Sequence, residues 1–310
     1  MAVATQNKKV QKQATFFGLS EEHSSDETSQ AVIISAPYEN TSSYGRGSKN
    51  GPKAILDASQ QVEHFDEELW CEPFRVGIAT ATEIKCAAAT AETENPFSEL
   101  TDAVRHQLNR GKFPIVLGGE HSISIGPVRA CVEKFPDLSI LQVNAHAAMR
   151  QSRDGNPYCQ SAISYNLYKL MPKPAMATVG VRSISAEEVE WLEKEEPNIN
   201  LYWARQYKTW NFGDIVNTLS DNVYLTIDVD GLDSSIMPAT GTPEPGGMSW
   251  YHLMDLIKTL CVRKNVVGAD IVELSPIPKM HAPDFLVAKL LYKLIGYRFA
   301  LELGVTKKYL

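Results

Sequence analysis

From residue 31 onward, short apolar runs alternate with stretches whose apolar residues recur every three or four positions, the pattern of strands separated by helices in an α/β sheet. The runs predict strands over residues 31–36, 74–78, 113–117, 138–143, 175–181, 223–229 and 266–274. Helices are predicted over 53–62, 96–110, 124–135, 186–195, 251–263 and 283–297. No repeat, low-complexity tract or linker divides residues 31–310, which read as one domain. Residues 1–30 differ: lysines, glutamines and serines run through them, with one apolar break at Phe16-Phe17-Gly18-Leu19. They read as a mobile tail or as an arm laid on a neighbouring subunit. They carry no apolar core of a secretory signal, and no later run reaches membrane-spanning length.

The polar residues that interrupt this pattern cluster at strand ends. Gly118-Gly119-Glu120-His121-Ser122 follows one predicted strand, Asn144-Ala145-His146 the next, Asp228 and Asp230 end a third, and Glu273 ends a fourth. In open parallel sheets, sites form at the carboxyl ends of strands, where the strand order reverses. Asp228 and Asp230 lie two apart on an apolar strand, so they share a face while Ile227 and Val229 pack opposite. Two like charges there either end in water as solvated loop acids or, if buried, repel and lose hydration, which calls for a cation, and a metal is the usual one.

Composition removes other classes. With 310 residues, 44% of them hydrophobic and 22% charged, the chain is long enough for one large core. A net charge of −7 with no basic cluster argues against nucleic acid or an anionic membrane as partner. Five cysteines, odd in number, widely spaced and without Cys-X-X-Cys, signal neither a disulfide frame nor a zinc-thiolate site. A reducing cytoplasm fits that usage best.

Several stretches, in order over residues 36–276, carry a family resemblance. They are Pro37-Tyr38-Glu39-Asn40-Thr41-Ser42-Ser43-Tyr44 with Gly51-Pro52-Lys53-Ala54-Ile55, Gly118-Gly119-Glu120-His121-Ser122, and Gly180-Val181-Arg182-Ser183. Asp228-Val229-Asp230 through Pro243-Glu244-Pro245-Gly246-Gly247 and Asp270-Ile271-Val272-Glu273-Leu274-Ser275-Pro276 complete the set. The chain resembles the ureohydrolases, the family of arginase, agmatinase and formimidoylglutamase, and agmatinase most closely. The resemblance implies a three-layer α/β/α domain with a mostly parallel sheet, holding two manganese ions bridged by a hydroxide that attacks a guanidinium carbon and releases urea. It implies metal ligands at His121, His146, Asp228 and Asp230, and a guanidinium-pairing role for Glu273. Asp230 and Glu273 are then the residues at the chemistry, and Asn156 joins Glu273 as a candidate substrate contact. Arg182 reads as serving the fold or a subunit contact.

The same resemblance exposes three departures. Asn144 stands where the family has a bridging aspartate and Ala148 where it has a terminal one. Gln160, in Gly155-Asn156-Pro157-Tyr158-Cys159-Gln160-Ser161-Ala162, stands where agmatinases carry a histidine thought to shuttle protons. An amide bridges two cations poorly, and glutamine does not titrate near neutrality. The expectation is therefore at most about one manganese per chain, bounded by His146, Asp228 and Asp230, or none. Two functional readings follow: an agmatinase-like hydrolase of a guanidino compound with weak or altered chemistry, or a non-catalytic relative acting as a binding or assembly subunit. The resemblance also implies a trimer or hexamer, and for the second reading assembly with an active paralogue.

Overall fold

The computed structural model describes residues 15–310. Eight strands form one sheet: β1 (Ala31–Ala36), β2 (Ile78–Thr80), β3 (Phe113–Gly118), β4 (Ser139–Val143), β5 (Met176–Val181), β6 (Ile199–Trp203), β7 (Asn222–Asp228) and β8 (Asn265–Val272). Every pairing is parallel, in the order β2-β1-β3-β8-β7-β4-β5-β6. β1, β3, β4 and β5 are buried at every residue, as strands covered on both faces must be.

The helices are α1 (Glu21–Ser24), α2 (Gly51–Ser59), α3 (Ser98–Asn109), α4 (Ile125–Lys134), α5 (Ile163–Leu170), α6 (Ala186–Glu195), α7 (Phe212–Asn217), α8 (Trp250–Arg263) and α9 (Ala282–Arg298). Side chains of α2, α7, α8 and α9 share one apolar layer with one face of the sheet. Those of α3, α4 and α5 share a second layer. The result is the expected three-layer α/β/α arrangement. Local sequence sets the helix starts. The Ser185 hydroxyl accepts the Glu188 N–H while the Glu188 carboxylate accepts the Ser185 N–H, a capping box that opens α6.

Three differences from the sequence expectations have physical causes. Pro73–Val76 is a 3-10 turn instead of a strand, because Pro73 opens it and Gly77, at φ 79°, ends it; the strand begins only at Ile78. β6 is a half-buried edge strand, so it lacks the continuous apolar run that marked the others. The tail expected over 1–30 does not describe its second half. Phe16 and Phe17 are buried, Phe17 packs edge-on against Tyr292 at 4.4 Å, and the Phe17 N–H donates to the Ser59 hydroxyl. Two adjacent aromatic rings in a polar stretch provide enough apolar surface to hold it down. Residues 1–14 lie outside the described residues.

One close approach fixes the turn after β3. A Cβ on Gly119 would fall 1.9 Å from the Tyr38 carbonyl oxygen, which also accepts the Glu120 N–H at 2.8 Å. Gly119→Ala should therefore cost ~1–3 kcal/mol, the range for overpacking a tight site. Urea unfolding of the purified variant measures it, and an unchanged midpoint would show that the 37–44 segment yields freely.

Candidate functional site

β3, β8, β7 and β4 are neighbours in the sheet, although β4 follows β3 in the chain. The crevice opened by that reversal is where the candidate residues gather. His121 follows β3, Asn144 and His146 follow β4, Asp228 ends β7, and Glu273 follows β8. His121, His146, Asp228, Asp230 and Glu273 line one cavity of about 370 Å³, and so do Asn144, Ala148 and Gln160. Asn156 is not among the lining residues. Its Nδ2 donates to the Ala89 carbonyl at 3.0 Å and its Oδ1 accepts the Tyr158 N–H at 2.9 Å, so its amide joins its own loop to the 89 segment.

The proton positions on the cavity floor follow from the hydrogen-bond directions. Asp270, fully buried, accepts from the Tyr224 hydroxyl at 2.9 Å and the Thr226 hydroxyl at 2.6 Å. Thr226 has one hydroxyl proton and gives it to Asp270, so its oxygen must accept Nε2–H of His121 at 2.8 Å. Nδ1 of His121 is then a lone pair. Nδ2 of Asn144 donates to it at 3.2 Å, an orientation fixed from the other end of the amide, where Oδ1 accepts the His146 N–H at 2.7 Å. Oδ2 of Asp228 also lies 3.0 Å from that lone pair, which requires a proton on Asp228. Burial, and then the adjacent Asp230 charge, favour that proton by pushing Asp228 well above the usual carboxylate range. Burial likewise lowers His121 and keeps its ring neutral.

Asp230 goes the other way. Burial works against its ionisation, but its Oδ2 accepts Nδ1–H of His146 at 2.7 Å and its Oδ1 accepts the Ala145 N–H at 2.9 Å, which together hold it below the usual range. Burial also works against a charge on His146, yet the bond and charge of Asp230 raise it to about 9, so it is a cation at neutral pH. Glu273 accepts the His121 N–H through Oε1 at 2.7 Å and is pushed well up by burial and by Asp228. Glu273 and Ala148 both adopt left-handed backbone, at φ 67° and 52°. For alanine that conformation costs roughly 1–2 kcal/mol, and no side-chain bond offsets it. Among the described residues, no group of three or more His, Cys, Asp or Glu is arranged to hold a metal ion.

Thr226, Asp270 and Glu120 belong to this site although no role was expected of them. Thr226 shares the face of Asp228 by the two-residue period, and Asp270 is a lone acid in an apolar run; both signals were present in the chain. Glu120, fully buried, accepts from the N–H groups of Asn40 and Thr41 and from the hydroxyls of Thr41 and Ser122. It ties the 37–44 segment to the cavity wall.

A model of the Arginase family matches residues 29–296. The chain belongs to the arginase family. It is 35% identical over 279 residues to an N(1)-aminopropylagmatine ureohydrolase of Synechocystis, covering 86% of this chain and 88% of that relative. Its structure superposes on an agmatine ureohydrolase of Thermoplasma volcanium with a TM-score of 0.80 and 31% identity, covering 89% of this chain and 92% of that one. A Trypanosoma cruzi formiminoglutamase variant with Mn2+ has the same fold, at a TM-score of 0.80 and 22% identity over 90% of this chain and 97% of that one. No helix among the described residues is long and apolar enough to cross a membrane.

The loop after Asp230 is held from both sides. Arg182, in the family's Gly-Val-Arg-Ser stretch, donates to the carbonyls of Asp230 (2.7 Å), Leu232 (3.2 Å) and Glu244 (2.7 Å), pinning backbone instead of facing the cavity. Asp233 accepts the N–H groups of Gly246 at 2.7 Å and Gly247 at 3.0 Å through Oδ2, and the Ser235 hydroxyl through Oδ1. The Ser235 bond first, and then the backbone N–H groups, outweigh burial and hold its carboxyl at about 2. The folded-state value lies below that of the free side chain, about 3.9. Its contribution is therefore complete above that range and lost as pH falls through 2. The Gly246 and Gly247 amide resonances should titrate near pH 2. A midpoint near 4 would show that Asp233 does not hold the turn.

Proposed function

We propose that this chain binds a guanidino compound of the agmatine type, a planar protonated head on an aliphatic amine, and that its release of urea is weak or lost. One observation carries the reading: Asn144 bridges His121 Nδ1 and the His146 N–H with an amide, where the family resemblance calls for a bridging carboxylate. The single amide oxygen is neutral and already accepts the His146 N–H, and the amide hydrogens face the lone pair that a metal would need. Ala148 offers no ligand atom. The residues present do not fit a pair of manganese ions, and one ion among His146, Asp228 and Asp230 is the most they would hold.

What remains suits an organic cation. Glu273 keeps one oxygen beyond its bond to the His121 N–H, and a carboxylate accepts parallel N–H groups from a planar guanidinium. The names of the relatives, agmatine and N(1)-aminopropylagmatine ureohydrolase, support a ligand of this class. Gln160 cannot supply a proton near neutrality, which further lowers the expected rate.

Two measurements test the reading. After equilibration with excess manganese, elemental analysis should find at most about one ion per chain, and Asn144→Asp with Ala148→Asp should raise the content. Two tightly held equivalents in the unmodified protein would overturn the metal argument. Calorimetry should detect binding of agmatine or N(1)-aminopropylagmatine, with urea release at least about 100-fold below the ~10 per second of a typical enzyme. Urea release at ordinary enzymatic rates would sink the loss of chemistry, whereas failure to bind either guanidine would favour the assembly subunit, to be followed by light scattering.

A further inference from the structure

Among the described residues, two of those lining the cavity carry a buried oxygen with no hydrogen-bond partner: Oε1 of Gln160 and Oγ of Ser42. A buried polar atom left unpaired costs free energy unless water or a ligand completes it. These two oxygens are not on loose segments. The Gln160 N–H donates to the Thr41 hydroxyl oxygen at 3.1 Å, and the Thr41 hydroxyl donates to Oε1 of Glu120 at 2.8 Å. Oε2 of Glu120 accepts the N–H groups of Asn40 and Thr41, each at 2.6 Å. The backbone of Gln160 and that of Thr41, the neighbour of Ser42, are therefore both tied to one fully buried carboxylate.

The charge of the cavity says what would complete them. Its floor carries Asp228, Asp230 and Glu273, the His146 cation there is bonded to Asp230, and the two arginines on its lining, Arg150 and Arg153, are each paired to an acid, Glu187 and Asp154. A carboxylate-bearing ligand would meet acids and unpaired acceptors there. A ligand rich in N–H donors would satisfy both.

We infer that Gln160 Oε1 and Ser42 Oγ are ligand-binding acceptors that take N–H groups of the bound guanidino compound, so that position 160 holds ligand in this chain instead of moving protons. The inference rests on the guanidino-binding reading above and adds the residues that would recognise it.

The test is agmatine binding by calorimetry to the full chain and to three variants, with thermal unfolding as the control for fold. Gln160→Met removes the acceptor at similar length, and affinity should fall on the order of 10-fold or more, the size of a lost bond to a charged donor. Ser42→Ala should weaken binding several-fold. Gln160→Glu keeps an acceptor at the same reach and should bind at least as tightly as the unmodified chain, a rescue that a purely structural role for the side chain would not give. If Gln160→Met and Ser42→Ala bind agmatine like the unmodified protein, water completes these oxygens and the inference is wrong. Should Gln160→Met unfold, Ser42→Ala and Gln160→Glu decide it alone. An unmodified chain that binds no guanidine brings down the guanidino-binding reading itself, a result distinct from equal binding by all four proteins.

Discussion

Three carboxylates, Asp228, Asp230 and Glu273, are buried at the edge of a parallel sheet, and the surrounding residues are arranged by the need to neutralise them. An isolated buried charge would be prohibitively costly, so each acid finds a separate answer. Asp230 pairs with the His146 imidazolium. Asp228 keeps a proton shared with His121, whose other nitrogen is committed through Thr226 to Asp270. Glu273 accepts a backbone N–H from His121 and is itself pushed toward its neutral form. The strand order makes this web available, because β3, β8, β7 and β4 must be adjacent for these groups to meet.

That solution also marks the boundary of what the chain reveals before folding. The helix α6 and the strand β1 were legible at both ends, since a capping box bounds one and an unbroken apolar run defines the other. The clustering of His121, Asn144, His146, Asp228, Asp230 and Glu273 was legible too, because a parallel sheet places strand ends together whatever their spacing in sequence. The protonation states were not. Asp228 and Asp230 read as two equal anions awaiting a metal, yet their pKa values part in opposite directions, because burial and the neighbouring Asp230 charge raise Asp228 while the bond to His146 holds Asp230 down. Which acid faces which ring is a property of side-chain orientation, and no spacing encodes it. Asn156 failed for a related reason: sequence places it near the cavity, while its amide is consumed by Ala89 and Tyr158.

On the reading proposed above, Asn144, Ala148 and Gln160 change the charge of the cavity more than its shape. Ala148 adopts left-handed backbone without a side chain that uses it, and the His121, Thr226 and Asp270 chain that orients the His121 ring is complete. Fully ionised, the three cavity carboxylates against the His146 imidazolium leave two negative charges, half of what two divalent ions would require. Those two charges match an agmatine-type dication, a guanidinium at one end and an ammonium at the other. On the reading proposed above, such a ligand would let Asp228 and Glu273 ionise without a bridging anion, and the cavity would balance an organic cation where it does not balance a metal pair.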